Sequence, residues 1–326
     1  MTATARTVLV TEPEYRKAEA VFREARDVRC EPAPSEESAL TARVDDLGVR
    51  AVIVGVACYR GPLYEALGKR GDGLIARFGV GHDNIDKPLA RQHGVVVANT
   101  PGALDQSVAE HTLWLMGCLA RRIARLDARV RAGEFAGQAG IELGGKTLCV
   151  LGLGSIGRRV AAMACFGFGM EVVACGRRAT AERIAECGIA RYTDCAEDAL
   201  RQCDVLSVHL RSDASTRHFI DASKLRWLKP GALLINTARG AVLDEAALFD
   251  ALAGGRLAGA ALDVFEREPY QPAHPDKDLR TLDSALLTPH AGSNTHEANA
   301  RMARAAIDNA RHFLAGQLER MTRVEP

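Results

Sequence analysis

Residues Gly145–Arg178 read GKTLCVLGLGSIGRRVAAMACFGFGMEVVACGRR. Thr147–Leu151 is a short apolar, β-rich run, followed by Gly152, Gly154 and Gly157 in G-x-G-x-x-G spacing. Ile156, Val160, Ala164 and Phe168 then recur every four residues, which predicts a helix with one buried face. Glu171–Cys175 (EVVAC) reads as a second strand. Strand, glycine turn, helix and strand in this order suit a dinucleotide. The first glycine permits the tight turn, the second lets backbone approach a pyrophosphate, and the third lets helix and strand pack closely. The free N–H groups and positive dipole end of the helix then face the phosphates. The plainer reading is a structural turn, and what favours the dinucleotide is the strand before the glycines and the helix after them.

Working outward, 326 residues allow one large or two ordinary α/β domains. A composition of 47% hydrophobic and 25% charged residues matches a globular chain with a sizeable core. The formal net charge of +1 supplies no field to draw the chain to nucleic acid or to a membrane surface. No apolar run reaches the length of a spanning helix. The N-terminus, MTATARTVLVTEPEY, lacks the longer apolar core of a signal peptide. Nine cysteines stand singly, with no C-x-x-C and no Cys/His cluster of metal spacing. Reduced thiols, a cytoplasmic location and no metal are therefore expected.

Before the glycine stretch, β-rich runs at Val8–Val10, Ala51–Val54, Leu74–Phe78 and Val95–Ala98 alternate with helix-compatible segments at Glu14–Ala25 and Glu36–Leu47. That alternation predicts a parallel sheet covered on both faces. No glycine fingerprint opens this unit, so it is not the main cofactor binder. Asn99-Thr100-Pro101-Gly102 marks a boundary, and a long helix is predicted from Ser107 to Ala132. Ser107 with Glu110 forms a capping-box signature, and Leu115, Leu119, Ile123, Leu126 and Val130 line one face. After the glycine stretch, strands are predicted at Val205–Leu210, Ala232–Ile235, Ala258–Val264 and Ala285–Leu287. Helices are predicted at Ala181–Cys187, Ala196–Gln202, Ser223–Leu228 and Glu245–Ala253, and a last one from about Thr295 to Leu314.

Three segments near strand ends each hold one reactive residue: NTARGAVLDEAAL with Arg239, ALDVFEREP with Glu268 and LLTPHAGS with His290. In open α/β sheets ligands bind beyond the carboxyl ends of strands, where such loops converge. A nicotinamide supplies hydride but neither a proton nor a grip on the substrate. Reduction of a 2-oxo acid needs a cation for the carboxylate and an acid for the carbonyl oxygen. Arginine offers a planar fork for the first, histidine a proton for the second, and a neighbouring carboxylate stabilises the imidazolium. Taken singly, each has a plainer reading: a surface ion pair, a solvated loop acid, a satisfied buried histidine.

In combination these segments resemble the D-isomer-specific 2-hydroxyacid dehydrogenase family, which includes phosphoglycerate dehydrogenases and glyoxylate/hydroxypyruvate reductases. The likeness runs from Leu74 to about Met302 through ARFGVGHDNID, VVVANTPG, SVAEHTLWLM, FGFGMEVVA, LLINTARGAVLDEAAL, LAGAALDVFEREP and LLTPHAGSNTHEA. It implies an α/β fold of two Rossmann-like, doubly wound parallel-sheet domains with the active site in the cleft between them. Residues 1–102 plus 295–326 would form a flavodoxin-like substrate-binding domain, and residues 103–294 the dinucleotide-binding domain. By the resemblance Arg239 holds substrate, His290 is the acid/base and Glu268 pairs with it. Gly152, Gly154, Ser155, Ile156 and Gly157 match the pyrophosphate loop. Thr237, Ala238, Asp263 and Gly292 match the nicotinamide side, and the backbone of Val80 and Gly81 matches a carboxylate-binding loop. A homodimer and a small 2-oxo or 2-hydroxy acid of glyoxylate, hydroxypyruvate or phosphoglycerate type are implied.

Two departures bear on the cofactor. His209-Leu210-Arg211 replaces the family's His-x-Pro, and Gly176, followed by Arg177 and Arg178, stands where an acidic residue usually ends the second strand. A missing carboxylate and added cations favour NADP(H), with NAD(H) possible. Tyr59 and Arg60 fall where the first domain of the family meets the substrate; an exposed turn is the alternative. No C-terminal regulatory domain is expected, since the last predicted helix lies near the end of the sequence. A formate-type oxidation is disfavoured by Glu268, where that branch carries an amide. A dinucleotide-sensing corepressor without turnover shares the fold, and a substrate panel separates it from an enzyme.

Overall fold

Two parallel sheets organise the computed structural model, which describes residues 7–176 and 179–324. The chain divides into two units, Met1–Leu104 with Asn294–Pro326, and Asp105–Ser293.

The first unit holds β1 (Thr7–Thr11), β2 (Arg29–Ala33), β3 (Ala51–Val54), β4 (Gly73–Arg77) and β5 (Val95–Ala98). Their order is β2-β1-β3-β4-β5, all parallel, which is the flavodoxin-like winding. Ala51-Val-Ile-Val54 is wholly buried, as a central strand covered on both faces must be. The helix His296–Leu314 packs on β3, β4 and the helix Glu19–Glu24 of this unit. Its buried Ala303, Ala306 and Ala310 let it lie close to them.

The second unit holds β6 (Thr147–Leu151), β7 (Glu171–Cys175), β8 (Ile189–Thr193), β9 (Val205–Val208), β10 (Ala232–Asn236), β11 (Leu257–Leu262) and β12 (Ala285–Leu287). The order β12-β11-β10-β9-β6-β7-β8 is again all parallel. Counted from β6, this is the 3-2-1-4-5-6 Rossmann order with one more strand, and its direction reverses between β6 and β9.

The structure corrects several sequence expectations. The helix expected at 107–132 starts at Asp105 and ends at Arg121. Arg122 takes a left-handed conformation (φ 56°), and a second helix, Ile123–Arg131, starts after it. Ser107 therefore lies buried inside the helix and is not its cap. Ile123 and Val130, expected on a core stripe, are 54% and 55% exposed. Phe168, expected on the buried face of Ser155–Phe168, is 41% exposed. Glu14–Ala25 is broken at Ala18. Val205–Leu210 ends as a strand at Val208, which frees His209 and Leu210 to form a loop. Two edge strands, β2 and β8, and two short helices, Pro62–Gly68 and Lys87–Gln92, are additions. β2 carries Pro32, which an edge strand tolerates because one side of it needs no ladder partner.

Candidate active site

The glycine loop leaves β6 at the reversal point of the second sheet. Gly152 has φ 101°, and a side chain there would meet the His209 carbonyl oxygen at 2.6 Å. A Cβ at Gly157 would fall on the Gly152 carbonyl oxygen, so both positions exclude any larger residue. Gly154 differs: nothing lies within 4 Å of its Cβ position. It is the exposed N-cap of the helix Ser155–Phe168, whose first amides have no partner within the helix. Ser155 is exposed and Ile156 half-buried beside it. An open glycine before unpaired amides fits a pyrophosphate. Across the reversal, the ring nitrogen Nε2 of His209 lies 2.8 Å from Ser207 Oγ, and burial pulls this imidazole down to about 4. His209 is therefore a neutral ring beside the loop.

Arg239, Glu268 and His290 follow β10, β11 and β12, three neighbouring strands. The turn before Arg239 is held by the buried Asn236, which accepts from Ala238 N (3.0 Å) and donates to the Arg239 carbonyl (3.0 Å). The Arg239 guanidinium is half-buried and donates to the Ala238 carbonyl at 2.6 Å. His290 takes a left-handed conformation (φ 53°), and its amide donates to the Asp263 carbonyl at 2.8 Å. Its Nδ1 lies 2.8 Å from Glu268 Oε2. The other carboxylate oxygen, Glu268 Oε1, accepts from Phe265 N at 3.1 Å. Burial works to raise the Glu268 carboxyl. The hydrogen bond and charge of His290, the Phe265 amide and the Arg239 charge outweigh it and leave the group below its ordinary value.

Asp263, at the end of β11, is the hub of a second network. Its Oδ1 accepts from Thr288 Oγ1 (2.6 Å) and Ala291 N (2.8 Å), and its Oδ2 from Gly292 N (2.8 Å). His111 Nε2 stands 3.3 Å from Oδ1. Burial alone would raise this carboxyl, but the His111, Thr288, Ala291 and Gly292 hydrogen bonds hold it below its ordinary value. Gly292 is needed there, since a Cβ would come within 3.0 Å of Asp263 Oδ2. Thr237 Oγ1 meets Thr112 Oγ1 at 2.8 Å, and Ala238 is half-buried beside it. Sequence reasoning missed His111, Thr112, Asn236 and Thr288. Their only signal was their place inside the quoted motifs, because each acts by supporting another residue.

Val80 and Gly81 sit in the first unit, with the Val80 carbonyl accepting from Asn99 Nδ2 at 2.8 Å. Tyr59 is also there, 2% exposed with its hydroxyl unpartnered, so it is not an exposed turn; Arg60 beside it is exposed. Gly176 has room for a side chain, the nearest atoms to its Cβ position being Tyr192 Oη at 3.6 Å and Leu153 N at 3.7 Å. Arg177 and Arg178 lie outside the described residues. Arg211 pairs with Asp213 at 3.0 Å. Among the described residues there is no group of three or more His, Cys, Asp or Glu placed to hold a metal, and no helix is long and apolar enough to cross a membrane.

This architecture, with its glycine loop and its strand-end Arg, Glu and His, defines a dehydrogenase of the two-sheet α/β class. Residues 113–292 match the model of the D-isomer specific 2-hydroxyacid dehydrogenase NAD binding domain. The chain is 42% identical over 254 residues to the glyoxylate reductase of Aeropyrum pernix, covering 75% of this chain and 74% of that protein. It is 35% identical over 313 residues to the D-3-phosphoglycerate dehydrogenase of Methanocaldococcus jannaschii, covering 95% of this chain and 58% of that protein. The solved D-lactate dehydrogenase of Aquifex aeolicus superposes with a TM-score of 0.81 at 28% identity, covering 96% of each chain. The protein belongs to the D-isomer-specific 2-hydroxyacid dehydrogenase family and is an oxidoreductase that uses a nicotinamide cofactor.

Proposed function

We propose that this enzyme reduces a small 2-oxo acid of the glyoxylate or hydroxypyruvate kind to the D-2-hydroxy acid, with NADPH preferred over NADH. The observation that carries the reading is the His290–Glu268 contact at 2.8 Å beside Arg239 on the neighbouring strand end. The Aeropyrum relative is a glyoxylate reductase, and the Aquifex structure holds NAD and lactic acid. The cofactor, when bound, supplies or accepts the hydride. Gly152, Gly154, Ser155, Ile156 and Gly157 would hold its pyrophosphate, and Thr237, Ala238, Asp263 and Gly292 its nicotinamide side.

The protein's own residues supply the rest. The Arg239 fork clamps the substrate carboxylate. With Nδ1–H of His290 donating to Glu268, the ring's Nε2 is left to give the carbonyl oxygen its proton on reduction and to take it back on oxidation. Glu268 fixes the ring and stabilises its charged form. The backbone of Val80 and Gly81 is assigned a second hold on the carboxylate, and the first unit the substrate-binding role.

The NADPH preference rests on Gly176, where no carboxylate would repel a 2′-phosphate, and on the cations that follow it in the sequence. Arg211 is engaged with Asp213, so any share it takes in phosphate binding requires exchange of that exposed pair. We assign a homodimer to the second unit, where Trp114 (71%), Phe166 (70%) and Phe135 (97%) join Ile123 and Val130 as exposed large apolar residues. The nine free cysteines suit the reducing cytoplasm we assign to it. Oxidation of NADPH and NADH across a panel of 2-oxo acids is the test: turnover of none of them overturns the reading, and a higher kcat/KM with NADH overturns the cofactor assignment.

A further inference from the structure

Beneath the Glu268–His290 pair lies a buried acid that the reaction above does not use. Glu245 is the first residue of the helix Glu245–Ala253 and is 2% exposed. Its Oε1 accepts from Glu266 N at 2.6 Å, and Glu266 Oε1 accepts from Glu245 N at 3.2 Å. This reciprocal clamp grips the loop that follows β11 two residues before Glu268. The same loop supplies the Phe265 amide that holds Glu268. It also lies directly against the Arg239 turn, since a Cβ at Gly240 would fall on the Phe265 carbonyl carbon. Glu245 Oε2 is buried and without a hydrogen-bond partner.

We propose that Glu245 is a positioning residue: its carboxyl fixes the backbone that presents Glu268 to His290, and its ionisation changes the charge felt by that pair. The proposal rests on the reading of His290 as the proton donor. An unpartnered buried carboxylate oxygen is costly, and a proton on Oε2 removes the charge. Burial lifts the Glu245 carboxyl to about 7. The Glu266 amide and His218 pull against that lift, and the Glu266 and Glu268 carboxylates add to it. The charged and titratable groups around it are Glu266, Glu268 and Tyr270 from the chain after β11. His218, bonded to Glu266 Oε2 at 2.8 Å, and Arg217, 3.9 Å from the same oxygen, come from the segment after β9, and Asp244 precedes Glu245 on its own helix. Below neutral pH Glu245 is uncharged, and Glu268 is the carboxylate that His290 meets. Above it, a further negative charge stands behind Glu268 and acts on the Glu268–His290 pair.

The test compares wild type with Glu245→Gln and Glu245→Ala in the full chain. Glutamine keeps an acceptor for the Glu266 amide and cannot ionise. Its pH profile of 2-oxo acid reduction is expected to part from wild type above pH 7, by on the order of one pH unit. Alanine removes the acceptor and is expected to lower kcat about 10–100-fold, with cofactor Kd held, as loss of reacting-group alignment does. Superposable profiles for wild type and Glu245→Gln, or an alanine variant within about twofold of wild-type kcat, would overturn the proposal. A readout without turnover covers a misfolded alanine variant and an inactive wild type alike. The Glu245 carboxyl 13C signal is expected to titrate near pH 7, with the His290 ring 15N signals moving in step in wild type and not in Glu245→Gln. A Glu245 signal that titrates near an ordinary carboxylate, or ring signals that ignore the substitution, overturns the inference. Absence of turnover in wild type with every 2-oxo acid sinks the enzymatic reading alone.

Discussion

His290 Nδ1 and Glu268 Oε2 stand 2.8 Å apart, and the second oxygen of the same carboxylate is tied to the Phe265 amide at 3.1 Å. One carboxylate thus orients the ring and is itself oriented by the backbone. That contact engages Nδ1, so the proposed proton transfer falls to Nε2.

His290→Asn is expected to lower turnover by about 10²–10⁴-fold, the worth of a positioned acid–base group. Cofactor binding, proposed to rest on the glycine loop, should stay near wild type by fluorescence titration. Turnover close to wild type would show that the proton comes from elsewhere.

Arg239→Lys conserves charge and removes the planar fork. A rise in substrate KM together with a fall in kcat is expected, of about tenfold or more in kcat/KM, because one ammonium cannot make two parallel bonds to a carboxylate. Steady-state kinetics on the best substrate of the panel decides; unchanged parameters would remove Arg239 from the clamp.

Stability should carry the signature of Glu245. Its carboxyl titrates at about 7 in the folded chain against an ordinary 4.5. Between those values the folded protein keeps a proton that the unfolded chain has released, so stability falls as pH rises through that window. Glu245→Gln lacks this slope and is expected to be more stable than wild type at pH 8 by on the order of 3 kcal/mol, and by much less at pH 5. Urea midpoints at the two pH values measure it. Equal pH dependence in both proteins would place the ionisation elsewhere.

The proposed NADPH preference rests on Gly176, just past the end of β7. Gly176→Asp with Arg177→Ala installs a carboxylate at the position proposed to meet the ribose 2′ group and removes one cation. The kcat/KM ratio of NADPH to NADH should fall at least tenfold, since a like charge then opposes the 2′-phosphate. An unchanged ratio would mean that β7 does not read the phosphate.

The fold was legible wherever a strand is a short, continuous apolar run. Ala51–Val54, Val95–Ala98, Glu171–Cys175 and Ala285–Leu287 have the bounds read from sequence. Two of the four edge strands, β2 and β8, were not. Arg29–Ala33 and Ile189–Thr193 are largely exposed and mix charge, proline and apolar residues, so neither period nor propensity marks them. The break at Arg122 was hidden for a different reason. Leu119, Ile123 and Leu126 keep helical spacing across it, and only the backbone conformation of one ordinary residue interrupts them. The strand-end Arg, Glu and His were legible as residue types near predicted strand ends. The groups behind them were not: Asn236 holds the Arg239 turn, Glu245 the loop of Glu268, and His111 and Thr288 the Asp263 carboxylate, and a supporting side chain carries no pattern of its own.

The adjacency of β10, β11 and β12 fixes what variation this enzyme tolerates. Parallel strands lie about 4.8 Å apart in a locked ladder, so the loops after them keep their spacing however their tips are decorated. One residue inserted into β11 would turn its side chains to the opposite face and carry Glu268 out of reach of His290. The Arg239, Glu268 and His290 set, to which the proton chemistry is proposed to belong, can therefore be inherited or transplanted only as a block, within a single sheet. Differences in substrate among descendants of this chain should accumulate in segments outside that block, where length changes leave the ladder untouched.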